Sequence, residues 1–309
     1  MIESITPRPR LSVIVANYNK ESYLGECLES VLNQSYKDLE TVVYDDGSSD
    51  GSPAIVADFQ KRYPDIIKII HDPVNRGVAC ARHQAILAAR GDYLTTLDSD
   101  DYYLSPEKLQ QEMELVLSTR RERGQDIIAF SAFVPVDRSG QRLTGWIEKQ
   151  PIREGRIFPD ILGRSCLIPR DYVMNRSLYF AAGGYDVSLS SYEDWDLKLR
   201  LAQRYDFRYS GLCGTAYRRD GQGLSERPFP EQLKNLLRVF KRHYPDIEAS
   251  NRKQVLKDFR SFVRAEGRHA LRPGGNKTCG VYLALLRMHM RLASARLSRR
   301  RKPSRHPLP

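Results

Sequence analysis

Leu94-Thr95-Thr96-Leu97-Asp98-Ser99-Asp100-Asp101 is the stretch whose reading decides the fold. A short apolar run leaves Gly91-Asp92 and ends in three carboxylates within four residues. Side chains alternate along a strand, so Asp98 and Asp100 would share a face. Like charges placed there repel unless something positive lies between them. A hard divalent cation meets that need, because it takes oxygen ligands and keeps positions open for phosphate oxygens. The plainer reading is a strand end followed by an acidic turn that caps a helix starting near Pro106. The neighbouring sequence weighs toward the first.

Upstream, strand and helix alternate four times. Residues 11–16 read as a buried strand, broken by Asn17-Tyr18-Asn19. Leu24, Cys27, Leu28, Val31 and Leu32 then recur at helical spacing. A second β-branched run, 39–44, ends at Asp45-Asp46-Gly47-Ser48-Ser49-Asp50-Gly51, and a helix is expected over 53–63. Residues 66–70 are a third strand, Asn75-Arg76-Gly77 a turn, and 78–89 an Ala-rich helix that Gly91 would close as a C-cap. Such alternation with short links calls for a parallel sheet covered by helices, which binds ligands at the carboxyl ends of its strands. The unusual residues gather at those ends. No G-x-G-x-x-G follows the first strand and no G-x-x-x-x-G-K-[ST] occurs, so the dinucleotide fingerprint and the Walker loop are both absent.

Downstream, the pattern predicts a helix from Pro106 to about Arg121, a strand over 126–136, a less regular stretch over 137–170, and a mixed segment over 172–180. After the Gly183-Gly184 turn a helix is expected to carry Glu193-Asp194-Trp195-Asp196, followed by a strand over 207–217. From Phe229 the pattern is helical, near 230–243, 248–267 and 278–297. The expected organisation is an α/β domain over 1–228, with a first half near 10–102 and a second near 103–228. A helical extension over 229–298 and a basic tail without fixed structure over 299–309 would follow.

Composition is ordinary for a soluble globular chain of 309 residues, with 41% hydrophobic and 28% charged residues. No apolar run is long enough to cross a bilayer, and residues 1–10 lack the apolar core of a signal peptide. The five cysteines are scattered without a C-x-x-C pair, which argues against a zinc site or a disulfide framework and fits a reducing cytoplasm. Most of the net charge of +11 belongs to the C-terminus, where eight Lys or Arg and no Asp or Glu follow from Arg287 onward.

Three further constellations accompany the acidic strand end. Asp45-Asp46 could accept hydrogen bonds from a base or ribose edge, or simply shape a turn. Arg82, on the helix after Asn75-Arg76-Gly77, could pair with a diphosphate or be a solvated helix residue. Asp194, in the first turn of its helix, is placed to be a general base, whereas Glu193 fits a capping box with Ser190.

These pieces, in this order, resemble the family 2 glycosyltransferases. The series runs Ser12 to Asn19, Asp45 to Asp50, Asn75-Arg76-Gly77 with Ala81-Arg82, Asp98 to Asp101, Gly183 to Asp186, Glu193-Asp194, and Tyr217-Arg218-Arg219. Together they cover roughly residues 10–225. The resemblance implies an α/β GT-A fold: a Rossmann-like, mixed but mostly parallel central sheet flanked by helices, here with a C-terminal helical extension. It implies an inverting, hexosyltransferase-like enzyme that moves a sugar from a nucleoside-diphosphate sugar, UDP-linked by analogy, to a hydroxyl of a glycan or lipid-linked acceptor in cell-surface polysaccharide or glycolipid synthesis. By the same resemblance Tyr18 would stack on the base, Asp46 would bond its edge, and Ala16 would meet the nucleotide through its backbone. Arg82 would approach the base or diphosphate, Ser99 would line the donor site, Asp98 would face the ribose or the metal, and Asp100 would ligate Mg²⁺ or Mn²⁺, with residues 10–102 as the nucleotide-sugar half and 103–228 as the acceptor half. Asp194 would deprotonate the acceptor. The chain departs from the pattern at Asp220, where many relatives carry a His that contacts phosphate or metal.

The sequence over 281–298 suits an amphipathic helix with Arg287 and Arg291 on one face. A basic helix of this kind can lie on an anionic membrane surface, which would make the protein peripheral on the cytoplasmic face. The rival reading is a helix packed on the domain with a solvated tail. Other rivals are a degenerate sugar-nucleotide binder without catalysis, a nucleotidyltransferase, and a nucleic-acid-binding protein. The last is disfavoured because the body has no basic stripe with interleaved aromatics.

Overall fold

The computed structural model describes residues 10–143, 151–166, 168–221 and 229–270. The helix expected over 278–297 and the basic tail lie outside the described residues. Strands β1 (Leu11–Asn17), β2 (Leu39–Asp46), β3 (Ile67–Asp72) and β4 (Tyr93–Asp98) alternate with helices α1 (Glu21–Leu32), α2 (Ser52–Arg62) and α3 (Val78–Ala88). The four strands are parallel in the order β3-β2-β1-β4, and a two-residue strand β7 (Met174–Asn175) adds antiparallel to β4. The sheet is therefore mixed but mostly parallel, as the alternation requires.

Period-two alternation divides the core. Val13, Val15, Val43 and Leu97 face α1 and α2 and helix α4 (Lys108–Arg123), whereas Ile14, Val42, Tyr44 and Leu94 face α3. With helices on both faces, the strands read as near-continuous apolar runs. Gly91 is not a left-handed C-cap: α3 already ends at Ala88 and Ala89 turns extended. Its requirement is close approach, since a Cβ there would lie 2.5 Å from Ser12 Oγ and 2.7 Å from Ser12 N.

A second sheet stands beside the first. Strand β6 (Ile127–Val136) runs parallel to β8 (Asp206–Arg218), and β5 (Tyr102–Tyr103) pairs antiparallel with β8. β5 follows Asp101 directly, so the acidic turn leads from one sheet into the other. The mixed segment resolves into β7 and the short helix α6 (Arg176–Ala181), capped by the Asn175 side chain. Helices α5 (Phe158–Gly163), α7 (Glu193–Ala202), α8 (Phe229–His243) and α9 (Arg252–Ala270) complete the chain. Leu236, Phe240 and Phe259 from α8 and α9 pack with Trp195 and Leu199 of α7 in the core beside α3. The C-terminal helices thus share the core of the sheet that carries the acidic stretch. No described helix is long and apolar enough to cross a membrane.

Candidate active site

Strand register brings the unusual residues together. Ala16 lies opposite Asp98 on one side and Tyr44 on the other, Asn17 opposite Asp45, and Asp46 opposite Asp72. The loops after β1 and β2 then interlock. Asn17 Nδ2 donates to Asp45 Oδ1 at 2.8 Å, Asn19 N to Ser48 Oγ at 2.9 Å, and Ser49 N to Asn19 Oδ1 at 2.8 Å. Tyr18 is held between two pinned neighbours while staying 47% exposed, a rigid aromatic surface at the strand ends. Asp46 is buried and accepts from the backbone N–H groups of Arg76 and Gly77, both at 2.8 Å. It fixes the turn that leads into α3.

Arg82, fully buried on α3, spans the site. It donates to Asp98 Oδ1, and to Glu193 Oε1 at 2.7 Å. Asp98 is also paired with Arg170 Nε at 2.9 Å, and Arg170 reaches on to Asp101 Oδ2 at 2.8 Å. Burial alone would raise the Asp98 carboxyl, but Arg170 and Arg82 outweigh it and hold it below the usual carboxylate range. Arg218 closes the turn from the β8 side: its N–H donates to Asp101 Oδ1 at 2.8 Å and its Nε to the Asp100 carbonyl at 3.0 Å. Ser99 is buried within this turn.

The capping box expected between Ser190 and Glu193 does not form. α7 begins at Glu193 behind a left-handed Tyr192 with no side-chain cap, and Ser190 and Ser191 accept instead from Asn235 Nδ2. Arg82 takes the carboxylate that the cap would have used. Burial raises the Glu193 carboxyl above its usual value despite Arg82. Burial also acts on Asp194, but Lys198 Nζ at 2.9 Å, with Arg170 and Arg82 beyond it, holds that carboxyl far below the usual range. The two adjacent acids are thus pushed in opposite directions, Glu193 up by burial and Asp194 down by its cations.

Asp100 completes the set. Its Oδ2 lies 2.8 Å from Lys20 Nζ, and the same ammonium is 3.0 Å from Asp220 Oδ2. One carboxylate oxygen each from Asp98, Asp100 and Asp101 falls within 4.8 Å of the others. An all-oxygen set of this kind suits Mg²⁺ or Mn²⁺.

Lys20, Arg170 and Lys198 were not singled out from sequence, and Arg218 only as part of the Tyr217-Arg218-Arg219 run. Arg170 sits in the irregular stretch and meets Asp98 and Asp101 only through the tertiary fold. Lys198 did carry a local signal, since it lies four residues after Asp194 on one helix face.

A sequence profile described as Glycosyl transferase family 2 matches residues 12–156. The putative glycosyltransferase EpsE of Bacillus subtilis (strain 168) is 28% identical over 251 residues, covering 75% of this chain and 81% of that protein. Residues 1–349 of S. aureus TarS, solved with UDP-GlcNAc, superimpose with a TM-score of 0.62 at 21% identity, over 81% of this chain and 71% of that one. The mannosyltransferase PcManGT of Pyrobaculum calidifontis, solved with GDP-Man and Mn²⁺, gives 0.59 at 18% identity, over 93% and 81%. The structural likenesses speak for the fold, and the sequence matches for the family. Residues 12–156 thus carry the family 2 glycosyltransferase profile, and the fold is the GT-A fold of the solved glycosyltransferases.

Proposed function

We propose that this enzyme transfers a sugar from a nucleoside-diphosphate donor, UDP-linked by preference, to an acceptor hydroxyl with inversion and divalent-metal assistance. The observation that carries the reading is Arg82. It ties the acidic end of β4 to the first turn of α7, so the donor-facing carboxylates and the candidate base form one unit. The donor would lie across the strand ends, its base on the pinned Tyr18 ring, near Ala16 and Asp46. TarS and PcManGT, with their UDP-GlcNAc and GDP-Man, support a nucleotide-sugar donor.

Asp100 would hold Mg²⁺ or Mn²⁺ together with the outer face of Asp98, since Arg82 and Arg170 already engage both oxygens of Asp98. When bound, the ion neutralises charge on the departing diphosphate. Arg82 and Arg170 fix the orientation of the acidic turn. Asp194, kept ionised by Lys198, takes the acceptor proton as its oxygen attacks the anomeric carbon. A single displacement past an oxocarbenium-like state inverts that carbon. A glycan or lipid-linked acceptor follows from the family resemblance and from the basic C-terminal sequence.

The test is a thermal-shift panel of nucleoside diphosphates and nucleotide sugars, with and without Mn²⁺, on wild type and Asp100→Ala. The expected result is a metal-dependent shift with one base, lost in the variant. No shift with any nucleotide overturns the reading.

A further inference from the structure

Lys20 occupies an unusual position. It is the residue before α1, directly after Tyr18-Asn19, yet its side chain crosses to the far end of the chain's catalytic core. Its ammonium sits between Asp100 Oδ2 at 2.8 Å and Asp220 Oδ2 at 3.0 Å. The neighbouring carboxylates are engaged otherwise: Asp98 by Arg82 and Arg170, Asp101 by Arg170 and the Arg218 N–H. Within the acidic turn, Lys20 therefore meets the carboxylate of Asp100, which no guanidinium holds among the described residues. Asp220 is buried, and its carbonyl is fixed by Arg138 Nε at 2.8 Å, so its carboxylate is presented from a set position.

Two carboxylate oxygens that converge within 3.0 Å of one cationic nitrogen form half of an oxygen cage for a hard ion. An ammonium and a divalent cation cannot share that point, because at such separations their repulsion is large even at a high effective dielectric. We propose that Lys20 is a tethered occupant of the metal position, that a divalent cation binds Asp100 and Asp220 by displacing it, and that Lys20 thereby sets metal affinity. Asp220, which stands where many relatives carry a His, is then a charged ligand rather than a lost one. The displaced ammonium stays on the loop beside Tyr18, where a donor diphosphate would accept it. This rests on the metal-assisted reading above and assigns two of its residues.

The experiment titrates Mn²⁺ into full-length wild type, Lys20→Met, and Lys20→Met/Asp220→Asn, with free Mn²⁺ read by electron paramagnetic resonance and each protein's melting temperature recorded with and without the ion. Lys20→Met is expected to tighten Mn²⁺ binding on the order of 10–100-fold, the size typical when groups around a metal's ligands change. The added Asp220→Asn change is expected to reverse the gain. Lys20→Met should also melt lower without Mn²⁺ and recover with it, since it leaves two carboxylates facing each other. Mn²⁺ binding that is unchanged or weaker in Lys20→Met overturns the role of Lys20. A melting loss equal with and without Mn²⁺ overturns it too, and reduces the contact to a structural ion pair. If none of the proteins binds Mn²⁺, even with UDP present, the metal-assisted reading falls with it.

Discussion

At the scale of single residues, the site is a set of carboxylates held by a few cations, several of them shared. Asp98 belongs to Arg82 and Arg170, Asp100 to Lys20, and Asp194 to Lys198. Asp194 is the base in the proposed mechanism, and Lys198 outweighs burial to hold its carboxyl well below the usual range. Asp194→Asn is isosteric but no base. It is expected to lower kcat by about 10²–10⁴-fold while leaving donor affinity unchanged. Single-turnover rates beside nucleotide titrations check this, and a loss confined to KM would remove Asp194 from the chemistry. The carboxylates were legible in sequence because each stands in a short local pattern. Their cations were mostly not, because Lys20 and Arg170 reach them over sequence separations that no spacing rule covers.

At the scale of elements, α7 decides where the base stands, and its far side is bolted to α8. Asp196 is fully buried and accepts from Arg200 Nε at 2.9 Å, Arg242 Nη1 at 2.8 Å and His243 Nε2 at 2.9 Å. Two of those donors come from the last turn of α8. Asp196→Ala would leave buried His243 without its carboxylate, while Arg242 keeps Asp186, at a cost of about 1–3 kcal/mol. Denaturant unfolding should show this, with nucleotide binding at the β1 and β2 ends retained below the transition. A loss under about 1 kcal/mol would mean that α8 does not anchor α7 through this contact. Helix and strand periods made most elements readable in advance. The start of α7 was misread because Ser190-x-x-Glu193 is a good local cap, and a tertiary partner, Arg82, competed successfully for the glutamate. Gly91 was misread for the same kind of reason, since its constraint comes from β1 rather than from the helix it follows.

At the scale of the whole molecule, a buried polar network ties α4 to β6 and to the segment that leads into β7. Lys108 Nζ of α4 contacts both Glu112 oxygens at 2.8 Å and Asp171 Oδ2 at 3.3 Å, while Ser131 of β6 donates to Glu112 at 2.6 Å. Burial pushes the Glu112 carboxyl up from 4.5 to about 7, against the pull of Lys108. Between those values the folded chain keeps a proton that the unfolded chain has released, so stability falls as pH rises through the window. The size is about 3 kcal/mol at 1.36 kcal/mol per pKa unit. Glu112→Gln should flatten the change in unfolding free energy between pH 5 and pH 8, and an unaltered slope would place the titration elsewhere. None of this joining was visible in sequence. The strands over 127–136 and 206–218 could be marked, but their parallel pairing with each other, and the pairing of β5 with β8, depend on a path through space that hydrophobic period does not encode. The same limit hid how fully α8 and α9 merge with the core.

The turn from β4 into β5 is the shortest backbone link between the sheets, with Tyr102 and Tyr103 already paired to β8 directly after Asp101. If one half rocks against the other to admit a substrate, this turn is the natural fulcrum. A lever moves least at its fulcrum. Rocking would therefore open and close the outer walls of the cleft while the acidic turn kept its shape, so its carboxylates would be aligned in every position of the swing.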